Sequence, residues 1–335
     1  MKQFACMKKI HAKSLCCKAK VIGFGSRRRQ CSKCKKTWRM RRKKRGRKRN
    51  RTGKDFVTKY LNRLLPSFYA VAKHAKKSAD ILEYKLKQSR DFFIRHTKWP
   101  KIPRGPFIAV ADATIKTIAR RIYSVYIILL RNIGDREAYP LPPRLEVGPE
   151  SYDGWKRSFD AMPDYVKRQI KALVCDGHAG LVWSARKRNW KVQRCHFHLL
   201  KSLSIRRSRK STRGNRKIGE RLLMLANIIL MTEDTQKLTQ AINEIEEIGW
   251  MSKGGSLGLI ISGFLKNLDE YRTYLMHPKM KLPRTNNSAE SFISGLEKMC
   301  AHARGFRTKS SFEKWLEAYV KHRRSIACNP SYQPN

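Results

Sequence analysis

Three carboxylates stand out by what surrounds them. Asp112 closes the apolar run Phe107-Ile108-Ala109-Val110-Ala111, Asp176 closes Ala172-Leu173-Val174-Cys175, and Glu290 follows Asn286-Asn287-Ser288-Ala289. An acid at the carboxyl end of a buried strand stands where an open α/β sheet presents groups to a ligand. Acids converging there could hold two divalent cations about 3.5–4 Å apart, one activating an attacking oxygen and one stabilising a leaving oxygen. That is the chemistry of phosphodiester cleavage and transfer. Hard oxygen ligands suit Mg²⁺, with Mn²⁺ as a substitute, rather than zinc. Cys195 and His198 follow a second short apolar run, and by residue type alone they read as core residues or as half a zinc site. His178, just after Gly177, reads as a helix-start residue. Arg284 and Asn286 stand before Glu290, where they could contact phosphate or make a turn.

The chain has 335 residues, with 75 Lys+Arg against 25 Asp+Glu and a formal net charge of +50. A surface so charged repels itself unless a polyanion neutralises it, which makes nucleic acid the leading partner over a membrane surface. There is no run of 18 apolar residues and no signal-peptide pattern, so the expected location is the cytoplasm. Most of the cysteines lie near the amino terminus, and in a reducing compartment they read as thiols or metal ligands. Cys31-Ser32-Lys33-Cys34 is a C-x-x-C knuckle, and a tetrahedral zinc would need two more ligands from Cys6, His11, Cys16 and Cys17. Residues 35–54 contain no acid. Their basic run, with Arg41, Arg42, Lys43 and Lys44 at its centre, reads as an arm that neutralises DNA phosphates.

Residues 55–97 are helical by pattern. Phe56, Tyr60, Leu61, Leu64 and Leu65 make one apolar face, and Pro66 interrupts it. Ser78 can cap a further helix carrying Ile81, Leu82, Leu86 and Phe93 inward, with Lys87 and Arg90 on the exposed side beside Glu83 and Asp91. A helix-turn-helix that reads DNA and a plain helical spacer both fit this pattern. The proline-rich segment 98–106 marks a boundary. Strands are then expected at 107–114 and 121–130, with a third at 138–147. A helix starting at Glu150-Ser151 returns the chain to a strand ending at Asp176. Beyond it come a helix, a strand over 190–194 and a further helix. That order is the one found in a ribonuclease-H-like sheet. Residues 201–280 show only helical periodicity and read as an all-helical insertion. Residues 281–335 bring Glu290, in a helix capped by Asn287 or Ser288, and an amphipathic helix over 309–324.

The segment VCDGHAGLVWSARKRNWKVQRCHFHLLKSL resembles the second-aspartate block of the Mutator-like DDE transposases of bacterial insertion sequences, with their C-x-x-H motif at Cys195 and His198. VADAT places Asp112 on the family's first aspartate, and PRTNNSAESFISGLEKMCAHARGF places Glu290 on its glutamate. The resemblance implies a ribonuclease-H-like core in two parts, 105–200 and 281–335, interrupted by the insertion. It implies Mg²⁺-dependent cleavage and strand transfer by Asp112, Asp176 and Glu290. It also gives Cys195 and His198 a role in shaping the site or contacting DNA. The partners it implies are the terminal inverted repeats of an element and target DNA, bound by at least a dimer that pairs two ends in a prokaryotic nucleoid. VIGFGSRRRQCSKCKKTW likewise resembles the zinc ribbons at the head of some bacterial transposases. It departs from them in having Ser14 or Lys13 where the partner of Cys17 or Cys16 would stand. Residues 1–40 are therefore expected to be a zinc-ribbon-like module, 41–54 a basic arm and 55–97 the DNA-reading domain. The competing reading is a transposase-derived DNA-binding protein without catalysis.

Overall fold

The structure is a computed structural model that describes residues 14, 16–24, 28–39, 57–62, 79–204, 213–252, 255–303 and 306–327. The chain divides into two compact units, Met1–Arg51 and Thr52–Asn335. His11, Arg41, Arg42, Lys43 and Lys44 lie outside the described residues, as do Ser78 and the expected turn before it.

In the first unit, β1 (Val21–Phe24), β2 (Arg28–Cys31) and β3 (Thr37–Arg39) form an antiparallel sheet in that order. Two tight turns flank it, one at Ser14–Lys18 and one at Cys31–Lys35.

The second unit begins with a helical turn at 57–61 and α1 (Ala79–His96). Val57, Tyr60, Leu61, Leu86 and Phe93 bury their side chains in one core with strand residues Ile108 and Val110. The proline-rich segment 98–106 lies within this compact unit. Ile81 departs from its expected inward placement, being 49% exposed.

The main sheet grows from a long hairpin, β4 (Phe107–Ile118) and β5 (Arg121–Asn132), paired along its whole length. The expected third strand is two short ones, β6 (Glu137–Pro140) and β7 (Arg144–Val147), each antiparallel to β5. Pro142 and Pro143 between them have no amide hydrogen to give the ladder, so pairing stops there. Helices α2 (Tyr152–Asp160) and α3 (Asp164–Lys167) lead to β8 (Ile170–Cys175), parallel to β4. Next come α4 (Ala179–Lys187), β9 (Lys191–Arg194), parallel to β8, and α5 (His196–Ser204). The helices α6 (Arg213–Met231), α7 (Thr235–Met251), α8 (Ser256–Lys266) and α9 (Leu268–Met276) follow. The chain then forms α10 (Asn287–His302), α11 (Lys309–Arg323) and β10 (Ile326–Ala327), which gives the strand order β10-β6-β5-β4-β8-β9.

Alternation along the strands divides the core into two layers. Ile108, Val110, Ala172 and Val174 face Phe292, Leu296, Phe312 and Leu316 of α10 and α11. Ala109, Ala111, Leu173 and Cys175 face Trp155, Phe159, Leu181 and Val182 of α2 and α4. Trp155 and Phe159 are wholly buried, each stabilising this layer by roughly 1.5–3 kcal/mol. Helices α6–α9 build a separate cluster around Leu225, Ile229, Ile245, Ile261 and Phe264, which also takes in Leu199 and Leu203 of α5. Helix α9 covers the free edge of β9. Thr273 Oγ1 donates to Val192 O at 2.5 Å, and the buried Gln193 amide donates to Tyr271 O and accepts from Tyr274 N, both at 2.9 Å. A sheet edge left open would expose unpaired backbone groups, and this helix supplies partners for them.

Contact between α10 and α11 is tight at Gly295, where an added Cβ would fall 2.0 Å from Tyr319 Oη, which itself donates to Phe292 O at 3.0 Å. Gly295→Ala should cost about 1–3 kcal/mol through overpacking. A thermal midpoint equal to wild type would contradict that packing.

Candidate active site

Strand register brings the two aspartates together. In the parallel pair β4–β8, Val110 lies opposite Val174. Asp112 and Asp176 each stand two residues further on, so both reach the same level of adjacent strands, on the face covered by α10. Asp112 Oδ1 accepts from Ala113 N at 2.8 Å and Oδ2 from Asn286 Nδ2 at 3.0 Å. Asp176 Oδ1 accepts from His178 N at 2.9 Å. Between them Gly177 has φ +98, and a Cβ there would lie 2.8 Å from the Arg194 guanidinium, so glycine suits both the backbone and the space.

Glu290 arrives from the other direction, in the first turn of α10. The segment before it is tied to the end of β9: His196 N donates to Arg284 O at 2.9 Å, and Asn286 N donates to Cys195 Sγ at 3.4 Å. Further along α10, Glu297 accepts from Thr114 Oγ1 at 2.7 Å and pairs with Lys116, both on the Asp112 face of β4. These contacts fix the helix against the strand. Cys195 Sγ, a His198 ring nitrogen and a Glu290 carboxylate oxygen lie within 4.8 Å of one another. His198 Nδ1 and Glu290 Oε1 are 3.5 Å apart, and both are buried atoms with no hydrogen-bond partner among the described residues.

The carboxylates feel one another. Burial, then the charges of Asp176, Glu290 and Glu150, push Asp112 up from 3.8 to about 7. Burial also raises Glu290, opposed by His198 and Lys201 and assisted by Asp176. Burial raises Cys195 to about 12, so without a cation beside it this is a neutral thiol. Glu150, a fourth acid, accepts from Trp155 Nε1 at 2.6 Å and lies 3.3 Å from His178 Nδ1. Its place just before α2, far from the other acids in the chain, carries no motif that would single it out. His178 is the N-cap of α4, its ring accepting from Gly180 N at 3.2 Å.

Two of the expected DNA contacts are buried and have partners within the chain. Arg90 is 3% exposed, pairs with Asp91 at 2.8 Å and lies 5.4 Å above the Trp315 ring. The face of α1 that bears it packs on α11, where Lys321 Nζ also donates to Ile94 O at 2.8 Å. Asn286 is fully buried, and its amide is spent on Asp112. It stands at the N-cap position of α10 but makes no side-chain cap bond, its Oδ1 having no hydrogen-bond partner among the described residues. Lys87 is exposed and pairs with Glu83 at 2.7 Å, while Arg284 is half-buried beside the Tyr274 ring. In the first unit the sulfurs of Cys16, Cys17, Cys31 and Cys34 lie within 4.8 Å of one another.

The donors fit a hard divalent cation: oxygen-rich, mutually repelling as anions, and including Glu290 Oε1, which has no hydrogen-bond partner among the described residues. Asp112 binds its proton more tightly folded than unfolded, so folding takes up protons between about pH 4 and 7. The metal-free protein should accordingly lose stability as pH rises through that window, and Asp112→Asn should lose less. Identical pH slopes for the two proteins would contradict the shift.

The sequence profile of the family described as "Transposase, Mutator family" matches residues 143–323, a span that includes Asp176, Cys195, His198 and Glu290. No curated protein matches the chain. With more than half of its residues matched, the chain belongs to the Mutator family of transposases.

Proposed function

We propose that this chain is a DDE transposase that binds the terminal inverted repeats of an insertion sequence and cleaves and transfers DNA strands at Asp112, Asp176 and Glu290. Transposases as a class cleave and join DNA with divalent metals, so DNA is the partner that the family implies. The observation that carries the finer reading is the matched register of Asp112 and Asp176, met by Glu290 at the start of α10. A ribonuclease-H-like core is supported by the strand order, three antiparallel strands followed by two parallel ones.

Asp112, Asp176 and Glu290 would hold two Mg²⁺ ions. When bound, such ions activate the attacking oxygen and stabilise the leaving oxygen. The protein's own part is to place and ionise the ligands. Asn286 and the Ala113 amide aim Asp112, the His178 amide aims Asp176, and Glu297 keeps α10 in register. In the first transfer, water attacks phosphorus in line and the P–O3′ bond breaks, leaving a 3′-hydroxyl at the element end. In the second, that hydroxyl attacks a target phosphate and displaces the target's 3′ oxygen. Neither transfer needs a covalent bond to the protein. The excess of Lys and Arg supports the approach of two DNA segments. His198 and Cys195 shape the Glu290 end of the site. The four-thiol cluster supports a structural zinc in the first unit.

Asp112→Asn, Asp176→Asn and Glu290→Gln should each abolish Mg²⁺-dependent nicking of an element-end oligonucleotide and leave binding nearly unchanged, because each keeps shape while removing charge. A variant that nicks at close to the wild-type rate would remove its residue from the set. Wild-type protein that binds ends and never nicks would favour a DNA-binding role alone.

Sequence reading is a separate matter from catalysis. Because the helical turn at 57–61 and α1 share the catalytic core, the clean truncation is at residue 51. Removing residues 1–51 should abolish preference for element ends over random duplex and leave weak, salt-sensitive binding. A truncated protein that still selects ends would place the DNA-reading surface in the second unit.

A further inference from the structure

The two turns of the first unit are copies of one another, and the copies differ at one ligand position. Cys31-Ser32-Lys33-Cys34-Lys35 closes with Lys35 N donating to Cys31 O at 3.0 Å, and Lys35 has φ 60. The turn that holds Cys16 and Cys17 closes in the same way, with Lys18 N donating to Ser14 O at 3.0 Å and Lys18 at φ 51. The fourth residues, Cys17 and Cys34, are both exposed thiols, and the first residues, Ser14 and Cys31, are both buried. Ser14 Oγ lies 3.2 Å from Cys31 Sγ and accepts from Ala19 N at 3.1 Å. A hydroxyl thus occupies the place where a paired C-x-x-C knuckle would present its first thiol.

A serine hydroxyl is a poor ligand for zinc, which takes thiolates and imidazoles at structural sites. The missing sulfur is close by. Cys16, inside the first turn, places its Sγ 3.4 Å from Cys34 Sγ, and all four cysteine sulfurs fall within 4.8 Å of one another. We propose that Cys16, Cys17, Cys31 and Cys34 are the complete ligand set of one structural zinc, Cys16 supplying the thiolate that Ser14 cannot. This rests on reading the first unit as a metal module and assigns its ligands.

The remaining groups suit that assignment. Four thiolates on a divalent ion leave a net charge of −2, and Lys18, Lys33, Lys35 and Lys36 are exposed around the two turns to offset it. Ser14, excluded from the metal, donates its hydroxyl proton to the Cys31 thiolate from 3.2 Å, as outer partners of a ligand do.

The test uses the full chain and zinc itself. Purified wild-type protein should carry one zinc in the first unit by elemental analysis, and Co²⁺ in its place should give the intense sulfur-to-metal charge-transfer bands of a four-thiolate site. Cys16→Ser should weaken zinc by about tenfold or more, since even outer partners of a ligand are worth about 10–100-fold. The double variant Ser14→Cys, Cys16→Ser rebuilds a C-x-x-C pair and should regain the affinity and the cobalt spectrum. Wild-type protein without zinc would overturn the metal-module reading itself. Undiminished zinc binding in Cys16→Ser would overturn the ligand assignment alone, and so would a double variant that fails to recover it.

Discussion

Repulsion among carboxylates held in one half-buried place is the constraint on which the candidate site depends. Burial, assisted by the charge of Asp176, raises the proton affinity of Asp112 and Glu290, so the arrangement is costly without a cation. The surrounding structure is what holds it together. Parallel pairing of β4 with β8 fixes the aspartates, and the buried Asn286 spends its amide on one of them. Glu297, with Thr114 and Lys116, fastens the helix that carries the glutamate. Each contact limits a movement by which the acids would otherwise separate.

The same network ties the α6–α9 cluster to the site. Arg194, at the end of β9, donates to Glu270 of α9 at 2.6 Å and to Asn267 at 3.1 Å, and its guanidinium lies over the position a Cβ on Gly177 would take. His196 follows β9, packs on Tyr271 and Tyr274 and is buried enough that its pKa falls to about 4. It therefore stays neutral and structural, whereas His198, two residues on, reaches Glu290. One short strand thereby positions the Cys195-His198 pair on one side and anchors the helical cluster on the other.

Much of this was legible in the chain because burial leaves a periodic trace. The strand that carries Asp112, the strand that leads to Asp176, the helix starting at Ser151 and the helical run after His198 all follow from apolar spacing and turn residues. The first of these strands, however, runs on to Ile118 rather than ending near Asp112. What could not be read were choices made by tertiary contact. Arg90 looks exposed on a helical wheel, but α11 presents Trp315 to it and Asp91 neutralises it. Asn286 looks like a phosphate ligand or a turn residue until Asp112 takes its amide. Prolines 142 and 143 divide a strand that pattern alone would continue. Glu150 is invisible to any motif because it joins the other acids only through the fold.

The central claim is that the three acids form one cation site, and binding of a divalent ion tests it without any reaction. Titration of full-length protein with Mn²⁺, followed by the paramagnetic signal of the free ion, should show binding that Mg²⁺ competes away. The binding should weaken sharply in Asp112→Asn and vanish when Asp176→Asn and Glu290→Gln are added. Mn²⁺ binding that survives all three substitutions, or no binding to wild-type protein near neutral pH, would contradict the account.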